Sequence, residues 1–503
     1  MNDVARKPEP IVEVTAGRIR GARVDGAVRF LSVPYAAPPL GERRYLRPQP
    51  HPPWAGVRDA LTPGASAPQH TPEGGRLEGL ELGALIGEGA VPGEDFLAAN
   101  IWTPDPAAVG LPVMVFIHGG AFLFGSKDAP IYDGAAFARS GVVLISINYR
   151  LGLEGFVHIP GGDSNLGLRD QLAALEWVRD TAAAFGGDAA NVTVFGESAG
   201  AMTISDLVAS PLAKGLFRRA IVQSGHGALV RSIPTALRLT RLLAKRLKVS
   251  ADIDGFRSRS LEDTLAAVAW ASGPKVRVDL RDESKREPTL GLSKFLPVFG
   301  DEVLPEPPMT ALKKGVGAEI DLLIGSNRDE MNLYFVPTGV RRKIGGLLAR
   351  FMLSRVQPKA GAVLRDYGLG RKGVRAGDAL AEAMTDLMFR WPARRFAEEH
   401  QGRTHVYEFG WRSDACGGQL GACHGLELPF VFDTLACATG PEGLCGPHPP
   451  TALARSVHRI WVDFARDGSL PWPEYRRDDR QVYALETGAA VAEPVPPAAA
   501  YLP

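Results

Sequence analysis

Cysteine is scarce in this chain: four residues in 503, Cys416, Cys423, Cys437 and Cys445, all late in the sequence. None belongs to a C-x-x-C pair, which argues against zinc-ribbon and thioredoxin-like motifs and leaves structural thiols as the expectation. Net charge is nearly absent as well, with 57 Lys and Arg against 56 Asp and Glu. No bulk field draws the chain to nucleic acid or to an anionic surface, so nucleic acid is not an expected partner. Long apolar runs are also lacking. The most apolar stretch, LPVMVFIHGGAFLFG, is broken by His118 and glycines and falls short of the ~20 residues a spanning helix needs. Stable membrane insertion is therefore not expected. The start, MNDVARKPEP, carries charge and proline where an export signal needs an apolar core of about 7–15 residues, so the expected location is cytoplasmic.

What is present is an alternation of strand and helix. IVEVTAG, GRIRGARV and VRFLSVPYA read as a small N-terminal antiparallel sheet. PVMVFIHG and GVVLISINYR are nearly continuously apolar, as strands covered on both faces should be. NLGLRDQLAALEWVRDTAAAFG places Leu168, Leu172, Leu175, Trp177 and Val178 on one broad helical face. NVTVFG, RRAIVQSG and DLLIGSN supply further buried strands, the signature of an α/β sheet.

One motif carries chemistry. Gly196-Glu197-Ser198-Ala199-Gly200 is a G-x-S-x-G sequence that follows a strand and opens a helix. A sharp turn there lifts Ser198 to the sheet's edge, and the helix N-terminus favours developing negative charge. A serine hydroxyl needs a base, and the base needs an orienting acid. His51, His70, His400 and His448 lie in Pro-rich or charged contexts and are expected to be solvated; His424, in GACHGLELPFVFD, falls on a loop suited to reach over a sheet edge. LLIGSNRDEMN ends a strand and offers two acids, Asp329 and Glu330. An oxyanion needs preorganised amides. Ala199 supplies one, and the loop IHGGAFLFGS offers Gly119, Gly120 and Ala121, with His118 expected to buttress that loop rather than act as the base.

FLSVPYAAPP, GEDFLAANIWTP, VMVFIHGGAF, INYRLGLEGF, FGGDAANVTVFGESAGA, AIVQSG, IGSNRDE and HGLELPFVF follow one another through most of the chain. In these blocks the sequence resembles the type B carboxylesterases, the family that also holds cholinesterases and para-nitrobenzyl esterases. The resemblance implies one α/β-hydrolase domain over residues 1–503, with a large, mixed, mostly parallel central sheet flanked by helices. It implies a carboxylic ester hydrolase acting on a small-molecule ester through an acyl-enzyme, with no metal or organic cofactor. Ser198 would be the nucleophile, His424 the base, Glu330 rather than Asp329 the acid, and Gly120, Ala121 and Ala199 the oxyanion amides. Glu197 and Ser224 would support them, and Arg44 with Glu94 and Arg150 with Asp170 would form buried ion pairs. The alternatives are a carbamate or amide hydrolase with the same residues, or a noncatalytic interaction protein on this fold.

The sequence also departs from the family. A cysteine pair common in exported members would fall at Ala67 and Phe96. The loop between them, PQHTPEGGRLEGLELGALIGEGAVPGED, lacks the tryptophan that binds choline in cholinesterases, so a choline ester is not the expected substrate. Two aromatics that narrow the cholinesterase acyl pocket fall at Gly291 and Ser293 here. Finally, VRRKIGGLLARFMLSRVQP sets Ile344, Leu347, Leu348, Phe351 and Met352 at helical spacing beneath Arg341, Arg342, Lys343, Arg350 and Arg355, an amphipathic basic pattern suited to a membrane or a fatty substrate; the alternative, a rim helix packing its apolar face on the body, is the expectation.

Overall fold

A computed structural model describes residues 9–70, 76–77, 79–87 and 89–502. Parts of the Pro68–Asp95 loop, at 71–75, 78 and 88, lie outside the described residues. Among these residues eleven strands form the central sheet: β1 (Ala22–Val24), β2 (Ala27–Pro34), β3 (Ala98–Thr103), β4 (Leu111–Ile117), β5 (Val143–Ile147), β6 (Gly187–Glu197), β7 (Arg219–Gln223), β8 (Asp321–Asn327), β9 (Thr404–Phe409), β10 (Gln481–Ala484) and β11 (Ala489–Ala492). Their order across the sheet is β11-β10-β9-β8-β7-β6-β4-β5-β3-β2-β1. The seven strands β4 to β10 run parallel, and antiparallel pairings close both edges.

The period of two along β4 explains the layers. Val113, Val115 and Ile117 enter one core with Leu168, Leu172 and Leu175 of α1 (Leu166–Thr181). Met114 and Phe116 enter a second core with Val457 and Trp461 of a C-terminal helix at Thr451–Asp467. A strand buried on both faces cannot alternate with polar residues, which is why the central strands read as unbroken apolar runs. All five residues Leu168, Leu172, Leu175, Trp177 and Val178 are buried, as the helical spacing predicts. Helix α2 (Ala199–Val208) follows β6 and is buried throughout.

The small sheet differs from the expectation in membership and direction. Ile11–Val14 and Gly17–Arg20 pair antiparallel, but the third strand, Val57–Asp59, runs parallel to Gly17–Arg20. The segment read as its third strand is β2, which pairs with β3 in the central sheet and buries Val28, Phe30 and Val33 in the core shared with α1.

The 340–358 segment is not one helix and does not bury its apolar stripe. It forms a turn at Val340–Lys343, breaks at extended Gly345, and resumes as α3 (Gly346–Ser354). Ile344, Ala349 and Leu353 face inward, whereas Leu347 is 89% exposed, Phe351 58%, Leu348 53% and Met352 39%. Among the described residues no helix is long and apolar enough to cross a membrane.

Candidate active site

The site is built where β6 turns into α2. Ser198 occupies φ 55°, ψ −124°, a conformation costly for any residue with a side chain and characteristic of a strand-to-helix elbow. The flanking glycines are required by β4. A Cβ on Gly200 would lie 2.0 Å from the carbonyl oxygen of Ile117, and one on Gly196 would lie 2.5 Å from the same atom. The Ser198 amide donates to Gln223 O of β7 at 2.9 Å, which pins the elbow to the neighbouring strand.

Above the sheet, His424 and Glu330 meet. Nδ1 of His424 lies 2.6 Å from Glu330 Oε2, and both side chains are buried. The other carboxylate oxygen of Glu330 accepts from Ser224 Oγ at 2.6 Å and from the Asn327 amide at 2.8 Å, so three donors fix it. Asp329, its neighbour, faces away: its Oδ2 accepts from Arg412 at 2.8 Å and from the Ala422 amide at 3.0 Å. Nε2 of His424 stands 3.1 Å from Glu197 Oε1 without the alignment of a hydrogen bond. Among the described residues no hydrogen bond joins Ser198 Oγ to that nitrogen.

The loop after β4 comes against the elbow. A Cβ on Gly119 would lie 2.9 Å from Glu197 O and 3.1 Å from Ser198 Cβ, so only glycine allows this approach. Gly120 at φ +115° and Ala121 at φ 54° curl the backbone. The amides of Gly119, Gly120, Ala121 and Ala199 have no acceptor among the described residues. Such a set of bare N–H groups beside a serine is suited to an oxyanion. His118 holds the loop from behind. Its Nδ1 meets Gly119 O at 2.8 Å and its ring stacks on Tyr149 at 4.6 Å, while burial pushes its pKa down to about 4.

The carboxylesterase family profile matches residues 8–496. The chain is 35% identical to the para-nitrobenzyl esterase of Bacillus subtilis (strain 168), over 95% of each chain. The chain belongs to the carboxylesterase family. It is 34% identical to a phenmedipham hydrolase of Pseudarthrobacter oxydans over 96% of each chain. A solved PNB esterase structure superposes with a TM-score of 0.82 at 31% identity, covering 97% of this chain and 98% of the other. This carboxylesterase is thus a carboxylic ester hydrolase with the α/β-hydrolase fold.

The charges around its imidazole form a coupled set. Burial pushes the Glu197 carboxyl up to about 8, with His424 pulling it back and Glu427 and Glu330 pushing it further. Burial pulls the His424 imidazole down, but the charges of Glu197 and Glu330 and the hydrogen bond that Nδ1 donates to Glu330 outweigh it and hold the group at about 9. When Glu197 keeps its proton, the strongest charge favouring imidazolium disappears, so the two groups titrate as a pair.

The support expected around the site is found in part. Arg150 and Asp170 form a buried pair at 2.6 Å. Arg44 does not pair with Glu94, which is exposed. It pairs with Glu154 at 2.6 Å, because Glu154 is buried beside it and also accepts from Tyr45 Oη at 3.0 Å. His400 is not solvated: it is buried, with Nδ1 at 2.7 Å from Thr404 Oγ1 and Nε2 at 2.9 Å from Gly317 O. Sequence reasoning missed the walls of the imidazole. Phe389, in a π-helical turn at Asp386–Arg390, packs 4.8 Å from the His424 ring, and Tyr334 lies 5.8 Å away. It also missed Glu427, which accepts from Gln223 Nε2 and Asn327 Nδ2 and so joins the His424 loop to β7 and β8. Only its position three residues after His424 hinted at this.

Proposed function

We propose that this carboxylesterase cleaves esters through an acyl-enzyme, with Ser198 as nucleophile, His424 as general base and Glu330 as the orienting acid. The observation that carries this reading is the buried 2.6 Å contact between Glu330 and Nδ1 of His424. A carboxylate on Nδ1 keeps the proton on that nitrogen and leaves Nε2 free to accept another. As substrate enters, Nε2 turns from Glu197 to the hydroxyl of Ser198, the next residue; such bonds often tighten only in the complex. Ser198 Oγ bonds to the ester carbonyl carbon and its proton passes to Nε2. The amides of Gly120, Ala121 and Ala199, with Gly119 shaping the loop, receive the negative oxygen. The imidazolium then protonates the departing alcohol. Water, deprotonated by the same nitrogen, attacks the acyl group and releases the acid and free Ser198. Ser224 acts by holding the carboxylate of Glu330.

Glu197 tunes the base. Its ionised form raises the imidazole pKa, and activity that needs neutral imidazole is lost as pH falls through that value. Glu197→Gln removes the charge, so the acid limb of kcat/KM is expected to move to lower pH; an unmoved limb in a pH–rate series would show that Glu197 does not set it.

The reading is tested by matched para-nitrophenyl esters, carbamates and anilides, with ester turnover expected to dominate. Carbamate or anilide turnover equal to that of the ester would favour the broader hydrolase. Within the esters, chain length probes the acyl side. Ser293 Oγ donates to Ala121 O at 3.0 Å, which supports placing the 291–293 segment against the oxyanion loop. With no aromatic at Gly291 or Ser293, each added buried methylene contributes up to ~0.8 kcal/mol, about fourfold in kcat/KM. Butyrate or hexanoate is expected to exceed acetate; an acetate preference would remove these positions from the acyl pocket. Gly291→Phe is a poor probe, since Gly291 sits at φ +88° and a side chain there strains the loop.

A further inference from the structure

Residues 340–375 differ from the rest of the chain in charge and in surface. They carry ten Lys or Arg against a single acid, Asp366, whereas the rest of the chain carries 47 Lys or Arg against 55 Asp or Glu. Arg341 and Arg375 pair with Asp378, whereas Arg342, Lys343, Arg355, Arg371 and Lys372 are exposed and without an ion pair among the described residues. The same segment holds five of the eleven exposed large apolar side chains described: Leu347, Leu348, Phe351, Met352 and Val374. Four of the five sit on α3. At about 100° per residue they fan over one side of the helix, with Ala349 and Leu353 buried on the other.

Periodicity alone would have this stripe packed inward, yet α3 holds on by its small and opposite residues and presents Leu347 and Phe351 to solvent. A second copy of the chain docking through a two-fold axis would bring one basic surface against another. A polyanion without an apolar phase would leave the four side chains of α3 unused. An anionic lipid surface satisfies both features: apolar side chains enter the headgroup boundary while Lys and Arg meet phosphates. Position adds to the argument. Helix α3 packs against Ala376–Thr385, which continues directly into the turn that carries Phe389 onto the His424 ring.

We infer that α3 and its basic flanks dock this esterase on an anionic lipid–water interface, with Leu347, Leu348, Phe351 and Met352 entering the headgroup layer. The docked face belongs to the layer that walls the imidazole, so lipid-borne esters are presented beside the site. The surface is independent of the assignment of Ser198, His424 and Glu330.

The test is flotation with vesicles of phosphatidylglycerol and phosphatidylcholine in equal parts, against vesicles of phosphatidylcholine alone. The wild-type enzyme is expected to bind the anionic vesicles about tenfold or more tightly, and less at high salt. Leu347→Glu with Phe351→Glu is expected to abolish most of that binding, while hydrolysis of water-soluble para-nitrophenyl acetate stays unchanged and reports intact folding. Arg342→Glu with Lys343→Glu should remove the preference for anionic lipid. The proposal is overturned by wild-type protein that ignores anionic vesicles, or by equal binding of the Leu347→Glu, Phe351→Glu variant. A dimer that this variant dissociates, without vesicle binding, would assign the patch to a second copy and likewise overturn it.

Discussion

Ser198→Ala is expected to abolish ester hydrolysis while leaving the fold intact. Removing the nucleophile of a serine hydrolase costs on the order of 10⁶ in kcat, because the remaining members act only through it. The fold should survive for local reasons. The elbow at φ 55° is held by the Ser198 amide on Gln223 O, by Met202 N on Ser198 O at 2.9 Å and by the glycines beside it, none of which uses the hydroxyl. The hydroxyl has no hydrogen-bond partner to orphan among the described residues, and alanine keeps the Cβ against which Gly119 packs. The measurement is turnover of para-nitrophenyl butyrate together with the thermal midpoint. A variant that melts like the wild type and turns over near the wild-type rate would remove Ser198 from the chemistry.

The second large effect separates two adjacent acids. Glu330→Gln places an amide where one carboxylate accepts from three donors: His424 Nδ1, Ser224 Oγ and the Asn327 amide. The amide's NH₂ then faces a donor or forces the imidazole to put its proton on Nε2, where it cannot act as base. The corresponding acid-to-amide change, Asp to Asn, in another triad enzyme cost ~10⁴ in kcat, and a loss of that order is expected here. Asp329→Asn should behave differently. Its partner Arg412 is more than half exposed, and such a pair is worth about 1 kcal/mol or less. The asparagine oxygen can still accept from Ala422 N. Parallel kcat values for the two variants decide the matter: equal small losses would place the acid elsewhere.

These two substitutions also mark the boundary between local and distant information. Around Ser198 the sequence was sufficient, because a strand-to-helix elbow is a problem of backbone sterics over five residues, and glycine at 196 and 200 is its local solution. The apolar face of α1 and the two-faced burial of β4 were legible for a similar reason: 3.6 and 2 are intrinsic periods of the backbone. The order Ser198, Glu330, His424 proposed for the reaction rests on strand ends and loops, which are also local features of the chain.

Asp329 and Glu330 share a strand end, a charge and nearly the same neighbours in sequence, and nothing local distinguishes them. What does is the convergence of Ser224 from the end of β7 and His424 from a loop 94 residues onward. Arg44 likewise finds Glu154, 110 residues away, instead of Glu94. His400 looked solvated because it follows two glutamates, yet Gly317 and Thr404 close over it. The apolar stripe of α3 is the clearest case. Its spacing announces an amphipathic helix, but which side faces inward depends on the helix it meets, and that neighbour selects Ala349 and Leu353. Patterns set by the backbone's own geometry are therefore written in the sequence of this protein. The choice of partner is a competition among groups far apart in the chain, settled by burial and by which donors and acceptors would otherwise go unpaired, and only the folded structure decides it.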